Sequence, residues 1–140
     1  MHGEFTPSRP IRMIFRSSGA SQDAARQAMD ALLRSNVDVV IGPLYSDAAA
    51  VAGEMAERAR VVMVAPMATE EEVTEGKRYV FQANPTFSMR GRLMARYTVE
   101  RLRHRTLGIV AQRTSFGERM AMAFRDEARR LGADVPLYQL

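Results

Sequence analysis

The chain has 140 residues, 46% hydrophobic and 26% charged, enough to bury a core without covalent staples. It contains no cysteine, which excludes disulfides and thiolate chemistry, and no apolar run near the roughly 20 residues that a membrane helix needs. The net charge is +4 and is carried almost wholly by arginine, since Lys77 is the single lysine.

The first ten residues, "MHGEFTPSRP", lack the apolar stretch of a signal peptide and read as a tail or a vector remnant. "IRMIFR" (11–16) has the composition of a strand, bounded by Pro10 and the loop "SSGAS". Ala25, Met29, Leu32 and Leu33 recur at helical spacing and predict a helix over about 22–34. "VDVVIG" (37–42) is a continuous apolar run, the pattern of a parallel strand buried on both faces.

A helix over about 47–58 follows, with Ala48, Val51, Ala52 and Met55 on one side, and then the buried strand "RVVMVAP" (60–66). "TEEEVTEG" predicts a short helical turn before a strand at "YVFQANP" (79–85). A helix over about 88–103 leads into the strand "TLGIVAQ" (106–112). The last helix, about 116–131, carries Phe116, Met120, Phe124 and Leu131 on one stripe, with Gly132 as its C-terminal cap. "VPLYQL" opens a further strand. This alternation predicts an α/β fold with a parallel sheet and right-handed crossovers.

Arg90, Arg92, Arg96, Arg101, Arg103 and Arg105 cluster with His104. Such a run could meet phosphates or anionic lipid, but Glu100 interrupts it, and a solvated helix face is the expected role. No nucleic-acid partner is expected.

Ligands of parallel α/β sheets collect beyond the carboxyl ends of the strands, where helices begin. Three such corners offer hydroxyls: Ser46, Thr69, and the pair Thr114 and Ser115. A helix N-terminus there favours a carboxylate or phosphate. Simple capping competes with that role, because Ser and Thr are preferred N-caps, and both "TEEE" (69–72) and "SFGE" (115–118) match a capping box. The glutamates at 70–72 read as a solvated face. Signals for an enzyme are poor. "GPLYS" is not a nucleophile elbow, and neither a GxGxxG nor a Gly-Lys-Ser/Thr phosphate loop occurs. His2 and His104 lack local metal or acid–base partners. The expectation is a non-enzyme, with no cofactor and no metal.

Three blocks, "VDVVIGPLYSDAAA", "VVMVAPMATEEEVTEGKRYVFQANPT" and "TLGIVAQRTSFGERMAMAFRDEARRLGADV", resemble in order and spacing the type I periplasmic binding proteins, in their branched-chain amino-acid (Leu/Ile/Val) branch. The resemblance covers about residues 11–135. It implies a Rossmann-like three-layer αβα architecture, with 11–86 as part of a first lobe and 87–140 as the start of a second; one rearranged sheet over 11–140 is the alternative. It implies that the ligand's carboxylate and ammonium meet Ser46 and Thr69, with backbone help from Tyr45, Met67 and Ala68. Phe116, in "SFGE", matches the family's aromatic residue on the opposing lobe and lacks a tyrosine's hydroxyl.

The family's first strand, which lies between the segments matching 11–16 and 37–42, has no counterpart here, so the chain reads as an internal piece. Exposed sheet edges then predict a homodimer. The function implied is binding of a small carboxylate such as an amino acid, outside the cytoplasm, in ABC-type uptake or sensing with a membrane transporter or receptor. The alternatives are an interaction domain of an envelope lipoprotein that regulates cell-wall synthesis and, after it, the effector domain of a transcriptional regulator.

Overall fold

A computed structural model describes residues 10–19 and 21–140. Helix α1 (Gln22–Arg34) begins where Ser21 Oγ accepts from the Ala24 N–H and leaves Ala25 and Met29 buried. Strand β1 (Val39–Ile41) is followed by α2 (Ser46–Ala59), β2 (Val62–Ala65), a 3₁₀ turn (Glu71–Val73) and β3 (Val80–Gln82). The three strands make one parallel sheet in the order β1-β2-β3, in which Val40 lies beside Met63 and Met63 beside Val80.

The buried face of this sheet packs on α1 and α2. Met29, Ala49, Ala52 and Ala56 close over Val40, Met63, Ala65 and Val80. Alanines let α2 lie close to the strands, and its Glu57 carboxylate accepts from the Arg78 and Tyr79 N–H groups at 2.9 and 2.8 Å, fixing the entry to β3. At the end of β1, Gly42 adopts φ 114°, a conformation that L side chains rarely take, and its N–H continues the ladder to Val64 O at 2.8 Å.

The chain then enters α3 (Phe87–Arg96), capped by Thr86 and continued by a π-helical turn (Tyr97–Arg101). Strand β4 (Thr106–Val110), helix α4 (Ser115–Arg130) and strand β5 (Asp134–Gln139) complete it. β4 and β5 pair in parallel as a second sheet with its own core, in which Ala95, Val99, Ala121 and Ala128 meet Ile109 and Val135. Gly91 lets α3 and α4 touch, because a Cβ there would collide with the Met120 carbonyl. Glu127, 6% exposed, crosses the same seam: its carboxylate accepts from Arg96 at 2.6 Å and from Arg130 at 2.7 Å.

The parallel α/β class holds, and the element order follows the hydrophobic periodicity closely. Three expectations change. Residues 11–16 form no strand: Ile11, Met13 and Phe15 face solvent, and no described strand lies beside them to complete a ladder. The run at 37–42 makes an edge strand whose side chains alternate exposed, buried, exposed, with Ile41 at 78% exposure. Among the described residues the five strands form two sheets and not one. Among the described residues the helices cover one face of each sheet; Val39, Ile41 and Phe81 open the other face of the first, Val110 and Leu137 that of the second.

Candidate functional site

The corners after β1 and β2 stand side by side because the two strands are parallel neighbours. Ser46 is the first residue of α2 and does not cap it. The N-cap is Tyr45, which makes no side-chain cap bond. Ser46 Oγ instead accepts from the Thr69 N–H at 3.1 Å, joining the two corners directly. A hydroxyl that accepts one bond still has a proton to donate outward. The first N–H groups of α2 are unmatched within the helix at the same place, so the corner carries partial positive charge.

Thr69 caps nothing either. The 3₁₀ turn has Glu70 at its N-cap with no side-chain bond, and Thr69 O accepts from Phe87 N–H at 3.2 Å. The carbonyls of Met67 and Ala68 are held from below by residues that the sequence pattern did not single out. Gln82 Nε2 donates to Ala68 O at 2.9 Å, and Asn84 Nδ2 donates to Met67 O at 3.2 Å. Ala68 is fully buried, backbone included, so the expected backbone contact from it is not open to a ligand, whereas Tyr45 and Met67 are exposed beside the corner.

Phe116 sits in the first turn of α4, 43% exposed. Its ring meets Phe87 edge-on, with centroids 5.0 Å apart and planes at 75°. Phe87 is therefore the link between the Thr69 corner and Phe116. Phe116 also joins Met120 and Phe124 along an open apolar groove of about 380 Å³ against β4, so the helical stripe is real but incompletely covered. The capping box at 115–118 is displaced by one residue: Thr114 is the cap, and its Oγ1 accepts from the Gly117 N–H at 3.1 Å.

The glutamates at 70–72 are not a solvated face. Arg119, from α4, pairs with all three, and Ser115 Oγ donates to Glu70 at 3.0 Å. The hydrogen bond from Arg119 holds the Glu72 carboxyl below its ordinary value, and that same bond raises Arg119. Burial pushes Glu71 up, but the Ser88 and Thr86 side chains overcome this and leave it lowered. These three carboxylates could gather a metal ion, yet the guanidinium already supplies their countercharge. The arginine run at 90–105 is partly structural. Arg90 donates to Asn84 Oδ1, Arg96 pairs with Glu127, and Arg105 donates to Leu131 O. No helix of the described residues is long and apolar enough to cross a membrane.

The geometry defines a pair of strand-to-helix corners on a parallel sheet, with a second α/β unit beside them. A family model described as periplasmic binding protein matches residues 4–139, and the chain belongs to that family. The Leu/Ile/Val-binding protein of Citrobacter freundii is 28% identical over 108 residues, 76% of this chain and 29% of that protein. The Leu/Ile/Val/Thr-binding protein of Salmonella typhimurium is 26% identical over 108 residues, again 76% of this chain and 30% of the relative. An ABC transporter substrate-binding protein from Desulfitobacterium hafniense, solved in complex with Leu, is 26% identical with a TM-score of 0.72 over 86% of this chain and 36% of that one. A substrate-binding protein from Sphaerobacter thermophilus shares the fold, with a TM-score of 0.79 at 21% identity over 94% of this chain and 38% of its own length. The chain thus spans roughly a third of the length of the proteins it matches.

Proposed function

We propose that this chain carries parts of both walls of a non-catalytic binding site for a small carboxylate ligand of the amino-acid class, in a solute-binding protein or receptor that works outside the cytoplasm with an ABC-type transporter or a sensor. The observation that carries this reading is the Ser46 Oγ to Thr69 N–H bond. It builds, from residues 23 apart in sequence, one hydroxyl-lined corner at the N-terminus of α2, where an anion gains from the helix dipole and the free N–H groups. The relatives named for leucine, isoleucine and valine support the ligand class. Ser46 and Thr69 hold the carboxylate, the backbone at Tyr45 and Met67 assists, and Phe116 offers an apolar surface to the ligand's side chain. The first unit over 11–86 and the second over 87–140 are the two walls of the cleft.

Calorimetric titration with leucine, and with leucinamide as the analogue lacking the carboxylate, tests this. The chain binds leucine and not leucinamide, and Ser46→Ala with Thr69→Ala abolishes the heat; equal binding of both compounds, or unchanged affinity in the double variant, refutes the site.

A second reading concerns association. Among the described residues β1 and β3 each pair only with β2, and β4 and β5 only with each other, which leaves two unpaired edges on each sheet. A homodimer that pairs such edges follows, and light scattering showing only monomer across the micromolar range overturns it.

A further inference from the structure

Arg119 reaches across from α4 to the segment that directly follows Thr69. Its Nε lies 3.3 Å from Glu70 Oε2, Nη1 lies 3.3 Å from Glu71 Oε2, and Nη2 lies 2.5 Å from Glu72 Oε1. Four residues earlier, on the same face of α4, Ser115 bonds to the other Glu70 oxygen. Phe116 lies between them in sequence and touches Phe87. Other ties across this boundary, among them Phe87 N–H to Thr69 O, Ser88 N–H to Glu71 Oε1 and Arg90 to Asn84 Oδ1, involve the start of α3, just past the connection from β3. Those contacts sit at the pivot. The Arg119 pairs act farther along the chain and bind the two units directly.

One guanidinium shared by three carboxylates is a network and not an isolated surface pair, and its charge offsets their mutual repulsion within 4.8 Å. We propose that Arg119 is a positioning residue: it clamps the β4–β5 unit against Glu70–Glu72 and so sets how far the cleft beside Ser46 and Thr69 opens. This rests on the reading of that cleft as the ligand site. Arg119 touches no ligand; it controls the fraction of molecules whose Phe116 faces the Thr69 corner. Partial exposure of Arg119 keeps the clamp weak enough to yield to solvent ions, as a reversible closure requires.

The chain has no cysteine, so Arg58→Cys on α2 and Arg129→Cys on α4 give two unique positions for spin labels on exposed sites. Pulsed electron–electron resonance on this pair gives one narrow distance distribution in the parent. Arg119→Met broadens it and moves it outward, Arg119→Lys restores part of it, and 1 M NaCl opens the parent while leaving the Met variant unchanged. Leucine affinity falls about threefold to tenfold in Arg119→Met, with thermal stability retained. A distance distribution in Arg119→Met that matches the parent overturns the clamp. If the parent shows no leucine binding, the ligand reading fails by itself, and the distance measurement still decides the role of Arg119.

Discussion

The two sheets solve the same packing problem by different means. In the β1–β3 unit the sheet leads. Three strands present Val40, Met63, Ala65 and Val80, and alanine-rich α2 lies flat on them in a core with no buried charge among the described residues. In the β4–β5 unit the helices lead. The sheet has only two strands, and the seam of α3 and α4 depends on Gly91 and on a buried carboxylate held by two arginines. The first unit should therefore respond to lost apolar volume, and the second to backbone crowding and to protons.

Met63→Ala should give the largest effect, about 2–5 kcal/mol of destabilisation, because Met63 is fully buried in the central strand. Hydrogen exchange should rise across residues 39–82 and stay low across 106–139; an equal rise in both would show one cooperative unit and break the comparison. Gly91→Ala should cost about 1–3 kcal/mol and loosen the α3–α4 seam instead, because the new methyl must displace backbone at Met120. Its exchange map should be the complement of the first.

Ser46→Ala alone should cost about 1 kcal/mol, since it leaves the Thr69 N–H without its acceptor in a half-buried corner. Urea unfolding followed by circular dichroism measures this.

The smallest change near neutral pH, and the clearest in acid, concerns Glu127. Hydrogen bonds from Arg130 and then Arg96 lower its carboxyl from 4.5 to about 2. A depressed folded value means that its contribution is complete above about pH 4.5 and disappears as pH falls toward 2. Thermal unfolding of the β4–β5 unit should drop through that window, and Glu127→Gln should flatten the slope. A slope of equal size in the variant would assign the acid sensitivity elsewhere.

Much of this organisation is legible in the sequence because it is local. The period of Ala25, Met29, Leu32 and Leu33 marks α1 at the bounds that the structure shows, and Thr114, one of the hydroxyls at the third corner, does cap its helix. What is not legible depends on distant partners. The segment 11–16 has the side chains of a strand, but a strand exists only through a neighbour. Ser46 and Thr69 look like caps by spacing, and only the adjacency of β1 and β2 turns one into the acceptor for the other. Glu70–Glu72 look solvated until Arg119, nearly fifty positions later, is brought against them. Gln82, Asn84 and Phe87 escaped notice for the same reason: each acts through a tertiary contact that leaves no periodic trace.

The most direct test of the Ser46–Thr69 corner is a leucine titration of the ¹⁵N-labelled chain followed by amide chemical shifts. The predicted result is saturable shifts centred on Ser46, Asp47 and Thr69, absent in the Ser46→Ala/Thr69→Ala variant and absent with leucinamide. Shifts that leave these amides still while moving others, or that persist in the double variant, would contradict the account.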